Sequence, residues 1–376
     1  MKNKIYLDNN ATTALDEQVL KVIEADLRAP PSNPSSIHFL GREAKDKLQM
    51  ARQSLASFFH VKPQEILFTS GGTESMNSLL KGLIDPRKRP HILTSNIEHS
   101  CVEKTLKDLE KQGCSVTFLP AGLKGSVSLE QLQEAITPET KYLVFGAANS
   151  ETGVTHDIKA FASFALSHNI PLIVDAIAHF GKEPFPLYPG IGAAGFSAHK
   201  FHGPKGTGFM FLRSPLRAHF TPLLLGGGQE SGLRSGTENL TAILGLAEAL
   251  HQVEKHLPTA SIHMQKLRDH FEKIIQEQLP FVQINGTNQR ICNVSNLCFP
   301  GYDAETLCIQ LDLHGIAASQ GSACSSGSVE PSRVLTSMGL SQTLAKASLR
   351  FSLSRLTTQE EIETAASILV ALVKKL

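Results

Sequence analysis

Six short apolar runs, at 65–69, 91–95, 115–119, 141–145, 170–175 and 209–212, alternate with longer stretches whose apolar residues recur at helical spacing. Short apolar strands separated by helices are the pattern of a mostly parallel sheet, because each crossover must carry the chain back to the edge it left. Helices are expected over about 41–59, from Met76, from about Glu98, around 129–136 and over about 158–167, with Asp16 capping an earlier one. The fold class read from this alternation is α/β. Open sheets of this kind gather their ligand contacts at the carboxyl ends of the strands, so the residues that follow each run deserve the closest reading.

The run Ile170-Pro171-Leu172-Ile173-Val174-Asp175 ends in a carboxylate. Downstream, Gly195 to Gly208 holds Lys200 among small residues, two histidines and a Gly-Pro turn, a composition unlike that of a core strand. Glycine lets backbone approach a ligand and Pro204 fixes φ, so Lys200 is expected on a rigid edge, where desolvation turns an amine into a nucleophile. Lysine for an imine and aspartate for a pyridinium nitrogen are the pair that a pyridoxal phosphate site requires.

Other strand ends supply compatible parts. Ser70-Gly71-Gly72-Thr73 joins a strand to a helix, the layout of a phosphate cup, and it lacks the lysine and spacing of a nucleotide-binding loop. Glu98-His99 falls at a strand-to-helix junction, and Ala148-Asn149-Ser150-Glu151 follows the run at 141–145. Cys324 lies in Gly321-Ser322-Ala323-Cys324-Ser325-Ser326-Gly327, small polar neighbours that leave a thiol accessible. Cys298 and Cys308 lie in apolar patterns and read as packing residues.

These motifs resemble those of the cysteine desulfurases of the NifS/IscS type, within the class V aminotransferases of pyridoxal phosphate fold-type I. The likeness runs from Tyr6-Leu7-Asp8-Asn9-Asn10-Ala11-Thr12-Thr13 to Leu349-Arg350-Phe351-Ser352. The resemblance implies a large cofactor domain with a mostly parallel central sheet flanked by helices, plus a smaller α/β domain. It makes Lys200, Cys324, His99 and Asp175 the catalytic residues. Cofactor contacts are expected from Gly72, Thr73, His99, Asn149, Ser150, Asp175, Ser197, His199 and Lys200, and substrate contacts from Asn33 in the proline-rich loop and from Arg350. Thr237, in Arg234-Ser235-Gly236-Thr237, is expected to reach the cofactor of a second subunit, which implies a homodimer. The loop at about 320–332 would carry sulfur from L-cysteine to an iron-sulfur scaffold or another acceptor protein.

The sequence departs from the family at two places. Ser150 stands where a second asparagine is usual, and Ala178 where a glutamine touches the cofactor's phenolic oxygen, a loss of about 1 kcal/mol of hydrogen bonding. Rival readings are a selenocysteine lyase, a cysteine β-lyase, or a sulfur-relay protein without catalysis. Leu257-Pro258 is expected to end a helix and to divide a large domain (14–256) from a small one (1–13 with 257–376). Thirty-six basic against thirty-five acidic residues provide no net field to recruit nucleic acid or an anionic membrane. No signal core, membrane span, CxxC pair or zinc-like spacing is present, so a cytoplasmic protein without a structural metal is expected.

Overall fold

The structure is a computed structural model and describes residues 4–321 and 330–375. Its strands, among those residues, are β1 (Ile5–Tyr6), β2 (Ile66–Thr69), β3 (His91–Ser95), β4 (Ser115–Leu119), β5 (Thr140–Gly146), β6 (Leu172–Asp175), β7 (Ile191–Ser197), β8 (Gly208–Leu212), β9 (Gln283–Ile284), β10 (Val294–Cys298), β11 (Ile316–Ala317) and β12 (Ser348–Ser352). Seven of them form one sheet in the order β2-β8-β7-β6-β5-β3-β4. Only β8 runs against the rest, pairing antiparallel with both β2 and β7. The carboxyl ends of the other six therefore share one edge.

Alternation along the strands sorts side chains onto two faces. Leu143, Phe145, Leu172, Val174, Phe209 and Phe211 meet the helices Phe39–Phe59, Ile158–Ser167 and the start of Leu240–Gln278. Val144, Ile173 and Met210 face the opposite side, under the helices Gly72–Leu83 and Ser100–Lys111. A sheet covered on both faces needs apolar residues at every position, which is why these runs show no polar alternation.

A second core lies around β12-β10-β9, an antiparallel sheet. Leu297, Leu349 and Phe351 pack there on Leu267 and Phe271 and on the helix Gln359–Lys375. The amino terminus joins this core: Ile5 and Leu7 are buried in it, and β1 pairs with β11.

Two expectations need correction. The helix does not end at Leu257-Pro258; it runs unbroken from Leu240 to Gln278. Leu246 and Leu250 anchor its first half in one core and Leu267 and Phe271 its second half in the other. Burial at both ends outweighs one missing hydrogen bond, and Pro258 and Glu254 both lie on the exposed side, where water can take the carbonyl. Nor is the start of the Lys200 stretch foreign to the core, since Gly195, Phe196 and Ser197 are the buried end of β7. A Cβ at Gly195 would come within 2.6 Å of the Met76 sulfur, so glycine is what allows the helix Gly72–Leu83 to pack there.

Among the described residues, no helix is long and apolar enough to cross a membrane.

Candidate active site

A cavity of about 250 Å3 opens at the carboxyl edge of the large sheet, where it meets the second core. Each strand end contributes. Past β2 the chain turns through Gly71, at φ +145°, into the helix Gly72–Leu83. Glycine is required at 71 by backbone conformation, and at 72 by space, because a Cβ there would meet the Ile177 side chain at 2.3 Å. No side chain of Gly71 caps this helix, so the first-turn N–H groups of Gly72 and Thr73, both in the cavity wall, offer an anion the positive end of the dipole.

His99 follows β3 and caps the helix Ser100–Lys111. Its Nδ1 lies 3.2 Å from the Cys101 amide and 3.0 Å from the Cys101 sulfur. A backbone N–H can only donate, so Nδ1 carries the lone pair and the neutral ring holds its proton on Nε2. Asp175 ends β6, buried, and accepts from the Ile177 amide at 3.0 Å. Burial pushes its carboxyl above the ordinary range, while His99, the Ile177 amide and Lys200 oppose that shift.

Lys200 closes a single 3-10 turn after β7. Its Nζ donates to the Asn10 carbonyl and, at 2.9 Å, to the Ala11 carbonyl, so the amino-terminal segment covers the amine. Beside it, Thr13 accepts from the His202 amide and Thr12 shares a hydrogen bond with His199 at 3.1 Å. Burial, helped by Lys200, brings His199 down to about 4, so its ring is neutral near pH 7. Beneath the turn, Lys182 donates to the Lys200 carbonyl at 2.6 Å, and burial lowers it to about 7.

From the second core comes Arg350, 1% exposed, on β12. One terminal nitrogen binds Asp8 at 2.6 Å and the other the Ser150 carbonyl at 3.2 Å, while Nε is buried with no hydrogen-bond partner among the described residues. An orphaned guanidinium donor in a cavity wall matches a carboxylate, which accepts in that fork geometry.

The cavity thus brings together Gly72, Thr73, His99, Asn149, Ser150, Asp175, Ser197, His199, Lys200 and Arg350. The amide of Asn149 is engaged locally, donating to the Ile97 carbonyl at 3.0 Å and accepting from the Glu151 and Thr152 amides. At Ser150 the backbone carbonyl is the group with partners, Asn10 at 3.0 Å as well as Arg350. Ala178 lines the wall without a polar group. Asn33 is exposed, accepts from the Ser35 amide in its loop, and does not line the cavity; Thr237 is exposed and does not line it either. Cys324 lies outside the described residues.

The sequence reading assigned no role to several lining residues, among them Asn10, Cys101, His156 and Arg333. His156 donates from Nδ1 to the Gly146 carbonyl at 2.8 Å and leaves Nε2 buried without a partner among the described residues. Nothing in its local run, Val154-Thr155-His156-Asp157, marks it, because its neighbours in the site come from other strands.

A helix amino terminus for a phosphate, a buried acid for a ring nitrogen and a lysine at one strand edge are the parts of a pyridoxal phosphate enzyme of fold-type I, and the residues present fit that cofactor. The chain belongs to the aminotransferase class-V family, which it matches over residues 5–364. It is 38% identical to the cysteine desulfurase of Trichormus azollae, over 99% of this chain and 93% of that protein. Among solved structures it is similar to a NifS-like protein (TM-score 0.92, 34% identity, all of both chains covered). It is also similar to a structure titled SspA in complex with cysteine (TM-score 0.82, 34% identity, 95% of this chain and 100% of that one).

Proposed function

We propose that the chain is a pyridoxal phosphate-dependent cysteine desulfurase, converting L-cysteine to L-alanine and passing the sulfur to Cys324. The observation that carries the reading is the shared cavity of Lys200, Asp175, His99 and the helix start at Gly72-Thr73, with Arg350 in its wall. The cofactor, when bound, supplies a ring that draws electrons from the substrate's α-carbon and loosens its carbon–sulfur bond.

The chain's residues do the rest. Gly72 and Thr73 amides hold the phosphate, and Asp175 keeps the ring nitrogen protonated. Arg350 orients the substrate carboxylate. Lys200 Nζ moves the α-proton, and His99, with its proton on Nε2, stands as proton donor to the substrate carbon that keeps the electron pair. The Cys324 thiolate attacks the substrate sulfur; a sulfur–sulfur bond forms as the carbon–sulfur bond breaks, and its electron pair stays on carbon, which is protonated to give alanine.

Both described ends of the segment carrying Cys324 support this. Ser332 donates to Glu151 in the cavity wall at 2.5 Å, and Gly321 lies near the same carboxylate. Cys324 is three positions beyond Gly321 in the sequence, a reach of at most about 11 Å. A protein acceptor, such as an iron-sulfur scaffold, would collect the persulfide. A homodimer is supported by a second opening at the phosphate end, lined by Gly71, Thr73, Ser197 and Lys205, and by the exposed Leu223, Leu224 and Leu225 in the loop leading to Thr237.

The test is purified protein with L-cysteine and simultaneous measurement of alanine, sulfide and protein persulfide. Wild type should give alanine with persulfide, Cys324→Ala neither, and Lys200→Ala should lose the cofactor's visible absorption. Pyruvate and sulfide without alanine, undiminished in Cys324→Ala, would sink the reading in favour of a β-lyase.

A further inference from the structure

The cavity wall holds a donor set of which the desulfurase chemistry uses two members, His99 and Asp175, and leaves Cys101 without a role. His99, Cys101 and Asp175 each present one ligand atom, and the three atoms lie within 4.8 Å of one another. We propose that this trio binds a zinc-type divalent cation, in competition with the pyridoxal ring for Asp175. The competition, but not the metal site, rests on the cofactor reading above.

Donor chemistry selects the ion. One imidazole nitrogen, one thiolate and one carboxylate are a zinc set; magnesium and calcium take oxygen alone. Donors around one tetrahedral zinc, each at about 2.0–2.3 Å, sit roughly 3.3–3.8 Å apart. The trio needs side-chain shifts on the order of 1 Å to reach that, and His99 Nδ1 already lies 3.0 Å from the Cys101 sulfur. If that nitrogen is the ligand, the ion replaces its hydrogen bond from the Cys101 amide, which is long at 3.2 Å. Burial raises the Cys101 thiol above its ordinary range, so the ion must displace that proton, and the complex it then forms is charge-balanced. A thiolate and a carboxylate neutralise a divalent ion, leaving a wall with buried Asp175 no net charge to accommodate. The cavity itself provides the fourth position for water.

The scaffold holds the donors on fixed elements. His99 and Cys101 open the helix Ser100–Lys111, and Asp175 ends β6, paired in register with Gly146 of β5. Lys200 also acts on Asp175 electrostatically, less than His99 does, while its amine rests on the Asn10 and Ala11 carbonyls. Sequence spacing hides the site because its members come from two strand ends that only the sheet brings together.

The test titrates the full-length chain, cofactor-free and pyridoxal phosphate-loaded, with cobalt(II) chloride as a coloured stand-in for zinc. Cofactor-free protein should gain thiolate-to-cobalt absorption at one ion per chain, and zinc chloride should abolish it. Loading with pyridoxal phosphate should suppress the band. Cys101→Ser, checked for folding by its uptake of pyridoxal phosphate, should lose the band and bind cobalt more than about tenfold more weakly. Cys324→Ala should keep the band. Persistence of the band in Cys101→Ser, its loss in Cys324→Ala, or equal affinity with and without cofactor would overturn the proposal. Cofactor absorption in metal-free protein is read separately, so a failed cobalt result beside normal cofactor uptake sinks only the metal site.

Discussion

The carboxyl group of Glu98 is buried beside Asp175, accepts from the Ser95 hydroxyl at 2.6 Å, and is pushed up by burial to about 7. The shift has a sign that stability can read. Between about pH 4.5, where the unfolded side chain loses its proton, and pH 7, the folded state holds the proton and the unfolded state does not. Stability from this group is full below that window and falls as pH rises through it, by on the order of 3 kcal/mol. Glu98→Gln keeps the hydrogen-bonding shape and cannot ionise, so its urea stability should vary less between pH 4.5 and 7 than wild type does. Equal slopes would show that Glu98 stays ionised. At Arg350, Lys in its place loses the fork and the idle Nε, so Arg350→Lys should raise KM for cysteine by about tenfold or more, with a smaller effect on kcat. Single residues such as Lys200, Asp175, His99 and Arg350 were legible in the sequence because each sits in a motif. Cys101 and His156 were not, since each gains its surroundings from strands distant in the chain.

Elements show where local composition misleads. Glycine content alone would make Gly226 to Gly236 a flexible link, but Glu230 ties it to the large core. Its carboxylate takes two bonds from Arg52, at 2.6 and 2.7 Å, and one from the Phe68 amide at 2.9 Å, with both side chains largely buried. Removing one partner of such a pair strands the other charge. Glu230→Gln should therefore cost about 3 kcal/mol in urea unfolding, while a value under about 1 kcal/mol would mean that solvent reaches Arg52. The helix Leu240–Gln278 gives the opposite lesson, since a proline that signals a stop is carried through by packing at both ends. Pro258→Ala restores one backbone donor and should raise stability by about 1 kcal/mol or more, seen as a higher midpoint of thermal unfolding. A lower midpoint would show that the neighbouring turns depend on the proline's shape.

At the scale of the whole molecule, the prediction concerns what one chain supplies to another. If Thr237 completes a second subunit's site, Thr237→Ala and Lys200→Ala should each be weak or inactive alone. Mixed and refolded together, they should recover alanine formation, because a hybrid holds one site with both residues intact. No recovery, with hybrids verified by a tag on one chain, would place Thr237 in no partner's site. The α/β class, the six strands and the order of motifs were set by the sequence itself, since apolar periodicity and glycine-bearing turns act over a few residues. Which of those motifs share a cavity was decided by the sheet. Its order puts β3, β5, β6 and β7 side by side with carboxyl ends together, and the return of Asp8 and Asn10 beside β12 covers Lys200 and fixes Arg350. Contacts of that range depend on strand order and on two cores packing against each other, and no local pattern encodes either.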